Sequence, residues 1–217
     1  MVIALEALCE AQPGIRLERR TAPLHSTGST LAIDGHDLLL VSAGWKSAAL
    51  KVEELGESFS LVNWDTGLDE IDSYGGQMLS VMRGPDGPAT TLRAGHIYMV
   101  PRGDELIIGA TMEPGRTEGM PDDTAIADLK SKAAAIVPSI AVAEITSSWA
   151  GVRPGTPDHA PFLGRTRQPN MFVAAGHYRN GILLAPITAR IMADMILDGK
   201  TDPLAAAFAL DRQFTAA

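Results

Sequence analysis

The chain has 217 residues, enough for one large or two small domains, and its 46% hydrophobic and 20% charged content is that of a packed globular protein. A formal charge of −8, from 18 basic against 26 acidic side chains, argues against nucleic acid or an anionic membrane as the main partner, because neither attracts an acidic surface. Cys9 stands alone, which excludes an intramolecular disulfide framework and a cysteine-built zinc site.

In chain order, residues 2–11 carry an apolar stripe at helical spacing and stop at Pro13-Gly14. Glu6 and the lack of a basic start make this a poor signal peptide. No apolar run approaches the ~20 residues of a membrane span, so a soluble, cytoplasmic protein is the expectation. Short strands are expected at 16–20 and 30–34, the second followed by an Asp34-Gly35 turn. Residues 38–42 (LLLVS) are apolar almost throughout, as in a strand buried on both faces, and Ala43-Gly44-Trp45 leads into a helix expected near 46–55. From about Phe59 the pattern turns to antiparallel strands. Residues 77–83 and 89–93, joined by GPDGP, make one hairpin candidate; 97–100 and 105–112, joined by residues 101–104, make a second.

Asp122-Asp123-Thr124 can cap a helix that carries Ile126, Leu129, Ala133, Ile136 and Val137 and that Pro138 stops. A strand at 143–149 precedes a Pro- and Gly-rich loop at 151–164. A short apolar strand at 171–175, a helix at 181–198, Gly199 and a final helix near 203–214 complete the order. No repeat or low-complexity linker interrupts it. Pieces of α/β character at both ends flank a β-rich middle, which predicts a mixed α/β (α+β) fold. The chain would leave one domain (1–56), build a second (57–147) and return to the first (148–217).

The segment with the most chemistry is Gly-His-Tyr-Arg-Asn-Gly-Ile-Leu-Leu-Ala-Pro at 176–186. It joins the apolar strand to a run of helical periodicity, Ile182, Leu183, Ile187, Ile191 and Met195. A strand, Gly-rich turn and helix in this order present free backbone N–H groups and the positive end of a helix dipole, where an anionic ligand can sit.

Five stretches, YMVPRGDELIIGATM at 98–112, WAGVRPGTPDHAPFLG at 149–164 and AAGHYRNGILLAPITA at 174–189, with the weaker LLVSAGWKS at 39–47 and GGQMLSV at 75–81, occur in an order that resembles the flavin-dependent D-amino-acid oxidase superfamily. Within it the glycine oxidase branch is the most similar. The resemblance implies non-covalent FAD, a flavin-binding α/β domain split between 1–56 and 148–217, and a β-rich substrate domain between them. Members hold the FAD pyrophosphate on an N-terminal βαβ unit with G-x-G-x-x-G, and no such fingerprint occurs here. Set against the family, Met1 falls at a mid-protein helix, so about 150 residues, the size of a domain, are expected to be missing. The resemblance is to a C-terminal portion.

Flavin oxidation of an amino acid needs a carboxylate grip, an aimed Cα–H and stabilisation of the charge gained on reduction; the redox step itself belongs to the flavin. The resemblance therefore assigns no acid–base catalytic residue. It places Arg153, whose planar fork suits a carboxylate, at the substrate together with Tyr98, Met112 and Arg179. It places Gly176, His177, Tyr178, Arg179, Asn180, Gly181, Ile182 and Leu183 against FAD, with the helix dipole facing the charge of the reduced ring. Each assignment competes with a plain reading: a surface arginine in a loop, inward-facing sheet residues, an ordinary glycine turn. Asp158 reads as a loop carboxylate bonding its own backbone, and His159 departs from the family at the pocket mouth. Trp45 and Trp149 read as core or interface residues and Cys9 as a small buried hydrophobe. The covalent flavin of sarcosine oxidase-type relatives uses a cysteine in the loop that is cysteine-free here at 151–158.

The implied reaction converts glycine, a small D-amino acid or an N-methyl amine to the imine and then the oxo acid, with O2 reduced to H2O2. In that branch the product feeds thiamine biosynthesis. Two alternatives stand beside it. One is a quinone-linked D-amino acid dehydrogenase. The other is a catalytically inactive truncated fragment or split-enzyme subunit that depends on a separate chain for the dinucleotide-binding segment. Homo-oligomerisation is left open.

Overall fold

The computed structural model describes residues 2–18, 24–26, 31–32, 35–54, 57–60 and 67–214. In chain order they form α1 (Val2–Glu10), β1 (Leu24–Ser26), β2 (Leu31–Ala32), β3 (Leu39–Val41), β4 (Lys51–Glu54), β5 (Glu57–Ser60), β6 (Asp72–Met82), β7 (Leu92–Ala94), β8 (Ile97–Arg102), β9 (Glu105–Gly109), β10 (Glu113–Pro114), α2 (Asp123–Ala134), β11 (Ile145–Gly155), β12 (Phe162–Arg165), β13 (Met171–Ala175) and α3 (Gly181–Leu197). The result is a mixed α/β fold built on three sheets. A four-stranded sheet runs β2-β1-β4-β5 and a three-stranded sheet β12-β13-β3, with β13 and β3 parallel. The third sheet is antiparallel, with β6 at its centre between β11 on one side and β9 and β10 on the other, followed by β8 and β7.

Side-chain alternation sets the layers. Leu79, Val81, Met99, Leu106 and Ile108 project from one face of the antiparallel sheet and pack against Ile126, Leu129 and Ala133 of α2. That helix starts where expected: the Asp122 carboxylate accepts the Ala125 N–H at 2.9 Å. In β13, Phe172 faces Ile191, Met192 and Met195 of α3, while Met171 and Val173 face Val41, Val52, Leu68 and Phe162. A short strand with an apolar layer on each face explains why MFVAA carries no polar residue.

Several expectations need correction. The helix expected at 46–55 is a 3-10 turn over Gly44–Ala49 followed by β4, where Lys51 and Glu53 are exposed and Val52 is fully buried, a period of two. Leu40 is 45% exposed, so β3 is not buried on both faces. Residues 16–18 are not in a strand, and positions 19–20 lie outside the described residues, as do 30, 33 and 34 around β2. Strand 89–93 does not form a hairpin with 77–83: β7 pairs with β8, and β6 pairs with β9. The loop expected from residue 151 is strand β11 as far as Gly155, and residues 162–165 form β12. Pro154 is tolerated in β11 because, among the described residues, that strand pairs only with β6, and an edge strand can spare an N–H. α2 ends at Ala134, ahead of Pro138, which instead opens a 3-10 turn, and the last expected helix is a 3-10 turn at Pro203–Phe208. Cys9 and Trp45 are half-buried and Trp149 is partly exposed. Among the described residues no helix is long and apolar enough to cross a membrane.

Candidate active site

Because one face of the antiparallel sheet is committed to α2, the alternate residues must occupy the other. Strand register places Tyr98, Gly109, Met78 and Trp149 in one row across it. Gly76 opposite Gly151 follows, then Tyr74 opposite Arg153. The glycines leave floor space that the large side chains use. A Cβ on Gly109 would lie 2.5 Å from the Tyr98 hydroxyl, and a Cβ on Gly76 would lie 2.0 Å from Nη1 of Arg153. Arg153 therefore lies over Gly76, donating from Nη1 to the Gly75 carbonyl at 3.2 Å. Among the described residues no carboxylate pairs with it.

Strand β9 stops at Gly109, opposite Met78, and β10 resumes at Glu113, opposite Gly75. Three residues, 110–112, thus face two of β6, a bulge that turns Met112 outward to 41% exposure. The bulge is tied down from below. The Gln77 backbone N–H donates to the Thr111 hydroxyl at 2.8 Å, and its fully buried side chain donates to Glu113 at 2.9 Å and accepts the Asp122 N–H at 2.6 Å. The Thr111 hydroxyl also donates to Glu113, and Arg116 pairs with it at 3.2 Å. Burial pushes the Glu113 carboxyl up, but these bonds outweigh it and hold the group below its ordinary range.

The turn from β13 into α3 comes from the other side. Gly176 (φ 77°) and Tyr178 (φ 51°) are both left-handed, and the Tyr178 N–H donates to the Pro154 carbonyl of β11 at 2.6 Å. The turn is thereby stitched to the strand that carries Arg153. Asn180 is the N-cap residue of α3 without a side-chain bond to the first turn, which also contains no acidic residue. The positive helix end is therefore not neutralised from within. Ile182 and Leu183 are 72% and 76% exposed. His177 contacts the Thr188 hydroxyl at 3.0 Å through Nε2, and burial pushes its imidazole down, towards the neutral form.

Tyr98, Met112, Arg153 and Arg179, the four expected substrate residues, line one cleft of about 650 Å³. Arg93, Glu113 and Lys132 extend it. Of the expected flavin residues only Arg179 reaches this cleft; His177 and Gly181 line a separate apolar groove of about 530 Å³ along α3, with Leu40, Ala189, Met192 and Leu197.

Several residues that matter here escape local spacing. Tyr74 joins the cleft face only through register with Arg153. Asp158 does accept its own loop's Ala160 N–H at 3.1 Å, as expected, but it also forms a two-bond pair with Arg212, at 2.8 Å to each oxygen, 54 residues away. The glycine pair at 75–76 was visible as a motif, but not the use of Gly76 as a seat for Arg153 or of Gly75 as space for Arg116.

An antiparallel sheet bearing a cationic cleft, joined to a small mixed sheet whose helix starts at a Gly-rich turn, fits one side of a flavin-type oxidoreductase. The chain belongs to the FAD dependent oxidoreductase family (DAO), whose family model matches residues 14–195. It is 35% identical over 190 residues to the glycine oxidase of Bacillus licheniformis, covering 87% of this chain and 48% of that protein. It is 47% identical over 121 residues to the bifunctional protein ThiO/ThiG of Synechocystis, covering 54% of this chain and 18% of that protein. The crystal structure of glycine oxidase from Geobacillus kaustophilus superposes with a TM-score of 0.74 at 29% identity, over 90% of this chain and 52% of that one. The chain spans about half the length of the curated glycine oxidases it matches. FAD is the family's cofactor, and the uncapped start of α3 fits an anionic edge of it. None of the 217 residues supplies a G-x-G-x-x-G turn for the pyrophosphate.

Proposed function

We propose that this chain is the substrate-side half of a glycine oxidase-like enzyme that oxidises glycine, a small D-amino acid or an N-methyl amine. The observation that carries this reading is Arg153: a guanidinium with no paired carboxylate among the described residues, seated on Gly76 and facing a cleft shared with Tyr98 and Arg179. Its two outer donors suit the parallel oxygens of a carboxylate. The Tyr98 hydroxyl, now only 3.5 Å from the Met78 sulfur, is available as a second donor. Arg179 adds positive charge at the mouth, and the start of α3 favours negative charge beside it. FAD held at the start of α3 would supply a two-electron oxidation of the Cα–N bond and pass the electrons to O2 as H2O2; water would then hydrolyse the imine to the oxo acid and ammonia or an amine.

A second element of the proposal concerns assembly. Strand β3 pairs with β13 alone among the described residues, and its open edge adjoins the apolar groove along α3. An open strand edge beside an uncovered apolar groove suits a further strand and helix packed against it. The occupant proposed is the dinucleotide-binding βαβ half, either on the same polypeptide or on a separate chain. The chain without it is expected to be inactive. The test is to combine this chain with a G-x-G-x-x-G half and FAD and to measure glycine-dependent peroxide. Peroxide from the combination, and none from either part, supports the reading; no peroxide despite a flavin-loaded assembly contradicts the oxidase assignment.

A further inference from the structure

Met112 forms one wall of the cleft, and its position is not left to its own flexible side chain. The Tyr178 hydroxyl donates to the Met112 sulfur at 3.1 Å. Behind it the His159 ring stacks on the Tyr178 ring at 4.2 Å and 12°, and Tyr74 meets both edge-on, at 5.0 Å from Tyr178 and 5.7 Å from His159. Tyr74 is also the residue opposite Arg153 across the β6–β11 ladder, so this three-ring cluster adjoins the grip. Gly155 makes it fit: a Cβ there would lie 2.4 Å from the Tyr74 ring and 3.2 Å from Tyr178.

The stacked pair is held in an expensive conformation. His159 (φ 56°) and Tyr178 (φ 51°) are the non-glycine residues with left-handed backbones among those described, and they touch each other. Such geometry persists only where surroundings over-determine it. Here the surroundings are explicit: Tyr178 N–H is fixed to Pro154, His159 N–H donates to the Thr156 carbonyl at 3.0 Å, and the neighbouring Asp158 is clamped by Arg212.

The geometry points to a size filter: His159 is a positioning residue that, through Tyr178, holds Met112 against the cleft and restricts what can sit beside Arg153 to a carboxylate with a small substituent. This rests on the reading of Arg153 as the carboxylate grip. A long thioether is a natural movable wall, because three rotatable bonds let it swing clear once its sulfur is released. The stack behind it is what denies that motion.

The test uses the chain as it is, with ¹³C-methyl methionine NMR and two inert carboxylates, glycolate as the small probe and mandelate as the same group bearing a phenyl ring. The Met112 methyl is assigned by Met112→Leu. His159→Asn is the informative variant, since asparagine tolerates the left-handed backbone and keeps the fold while removing the ring. The result expected is that His159→Asn moves the Met112 methyl towards the free-methionine position and tightens mandelate by about tenfold or more relative to glycolate, the range over which an apolar wall discriminates. Tyr178→Phe keeps the stack but removes the hydroxyl, and is expected to move the same methyl and to shift the mandelate-to-glycolate ratio in the same direction. An unmoved Met112 methyl in His159→Asn, or an unchanged mandelate-to-glycolate ratio, overturns the filter. Arg153→Met separates this from the underlying reading: glycolate that still titrates the Met112 methyl in that variant contradicts the grip, whatever His159→Asn does to the wall.

Discussion

The guanidinium of Arg153 occupies the space that a side chain at residue 76 would take, with Nη1, Nη2 and Cζ all within 2.4 Å of the missing Cβ. An arginine aimed into a cleft is useful only if it is aimed, and here the absence of one methyl group does the aiming. Gly76 lies outside the left-handed region, so an alanine fits its backbone but not its surroundings. Gly76→Ala is expected to leave the fold intact and to weaken carboxylate binding by about 1.5–3 kcal/mol, the range for a hydrogen bond to a charged group. Titration of glycolate into wild type and variant checks this; equal affinities would mean that the seat is incidental.

The Asp158–Arg212 pair fastens the end of the chain to the loop that carries His159. The pair is 11% and 7% exposed, and the Arg212 cation also lies 4.4 Å from the Phe162 ring centre. Removing one partner of a buried pair leaves the other uncompensated, so Arg212→Ala is expected to cost about 3–5 kcal/mol of stability at neutral pH. Bonds from Arg212 hold the Asp158 carboxyl well below the carboxylate range; burial opposes them, and the Ala160 N–H and the Thr156 hydroxyl add to them. A depressed folded pKa means the stabilisation is complete above the unfolded value, about pH 3.9, and is lost as pH falls through the folded one. Melting temperature should therefore drop below about pH 4 in wild type, and drop less steeply in Arg212→Ala. Parallel pH profiles for the two proteins would show that the pair does not set the acid dependence of stability.

Gln77 holds the bulge that presents Met112. Gln77→Leu keeps the volume but strips partners from Glu113 and the Asp122 N–H. The expected loss is about 1–3 kcal/mol for each buried group left unsatisfied. Denaturant unfolding measures it, and a neutral or stabilising outcome would show that water replaces the amide.

The apolar groove gives a prediction about assembly alone. Ala189 lines it and is exposed, so Ala189→Asp should change the stability of the isolated chain by no more than about 0.5 kcal/mol. The same charge should abolish co-purification with the dinucleotide-binding half. A variant that still assembles would place the interface elsewhere.

Much of the site was legible because its pieces are short and local. The strand at 171–175, the Gly-rich turn and the start of α3 were readable from an apolar run, glycines and a helical period in immediate succession. The hairpin of β8 and β9 and the Asp122 cap were readable for the same reason. What failed was whatever depends on a distant neighbour. Residues 151–155 contain Gly, Arg, Pro and Gly and look like loop, yet β6 supplies a full ladder and the open edge excuses the proline. Residues 51–54 look helical beside Trp45 and Lys46 until β1 and β5 pair with them. Asp158 and Arg212 are far apart in sequence, and no spacing rule connects them. Glycine roles were hidden too, since what matters at Gly76, Gly109 and Gly155 is whose side chain lies above.

Arg153 is the group proposed to bind the substrate carboxylate. The most direct measurement is the steady-state oxidation of glycine by the flavin-loaded assembly carrying Arg153→Ala, followed as peroxide release. Loss of the charge-assisted pair predicts kcat/KM lower by about 10- to 100-fold or more, with the flavin still bound. Unchanged KM and kcat in that variant would contradict the carboxylate grip and the proposed function with it.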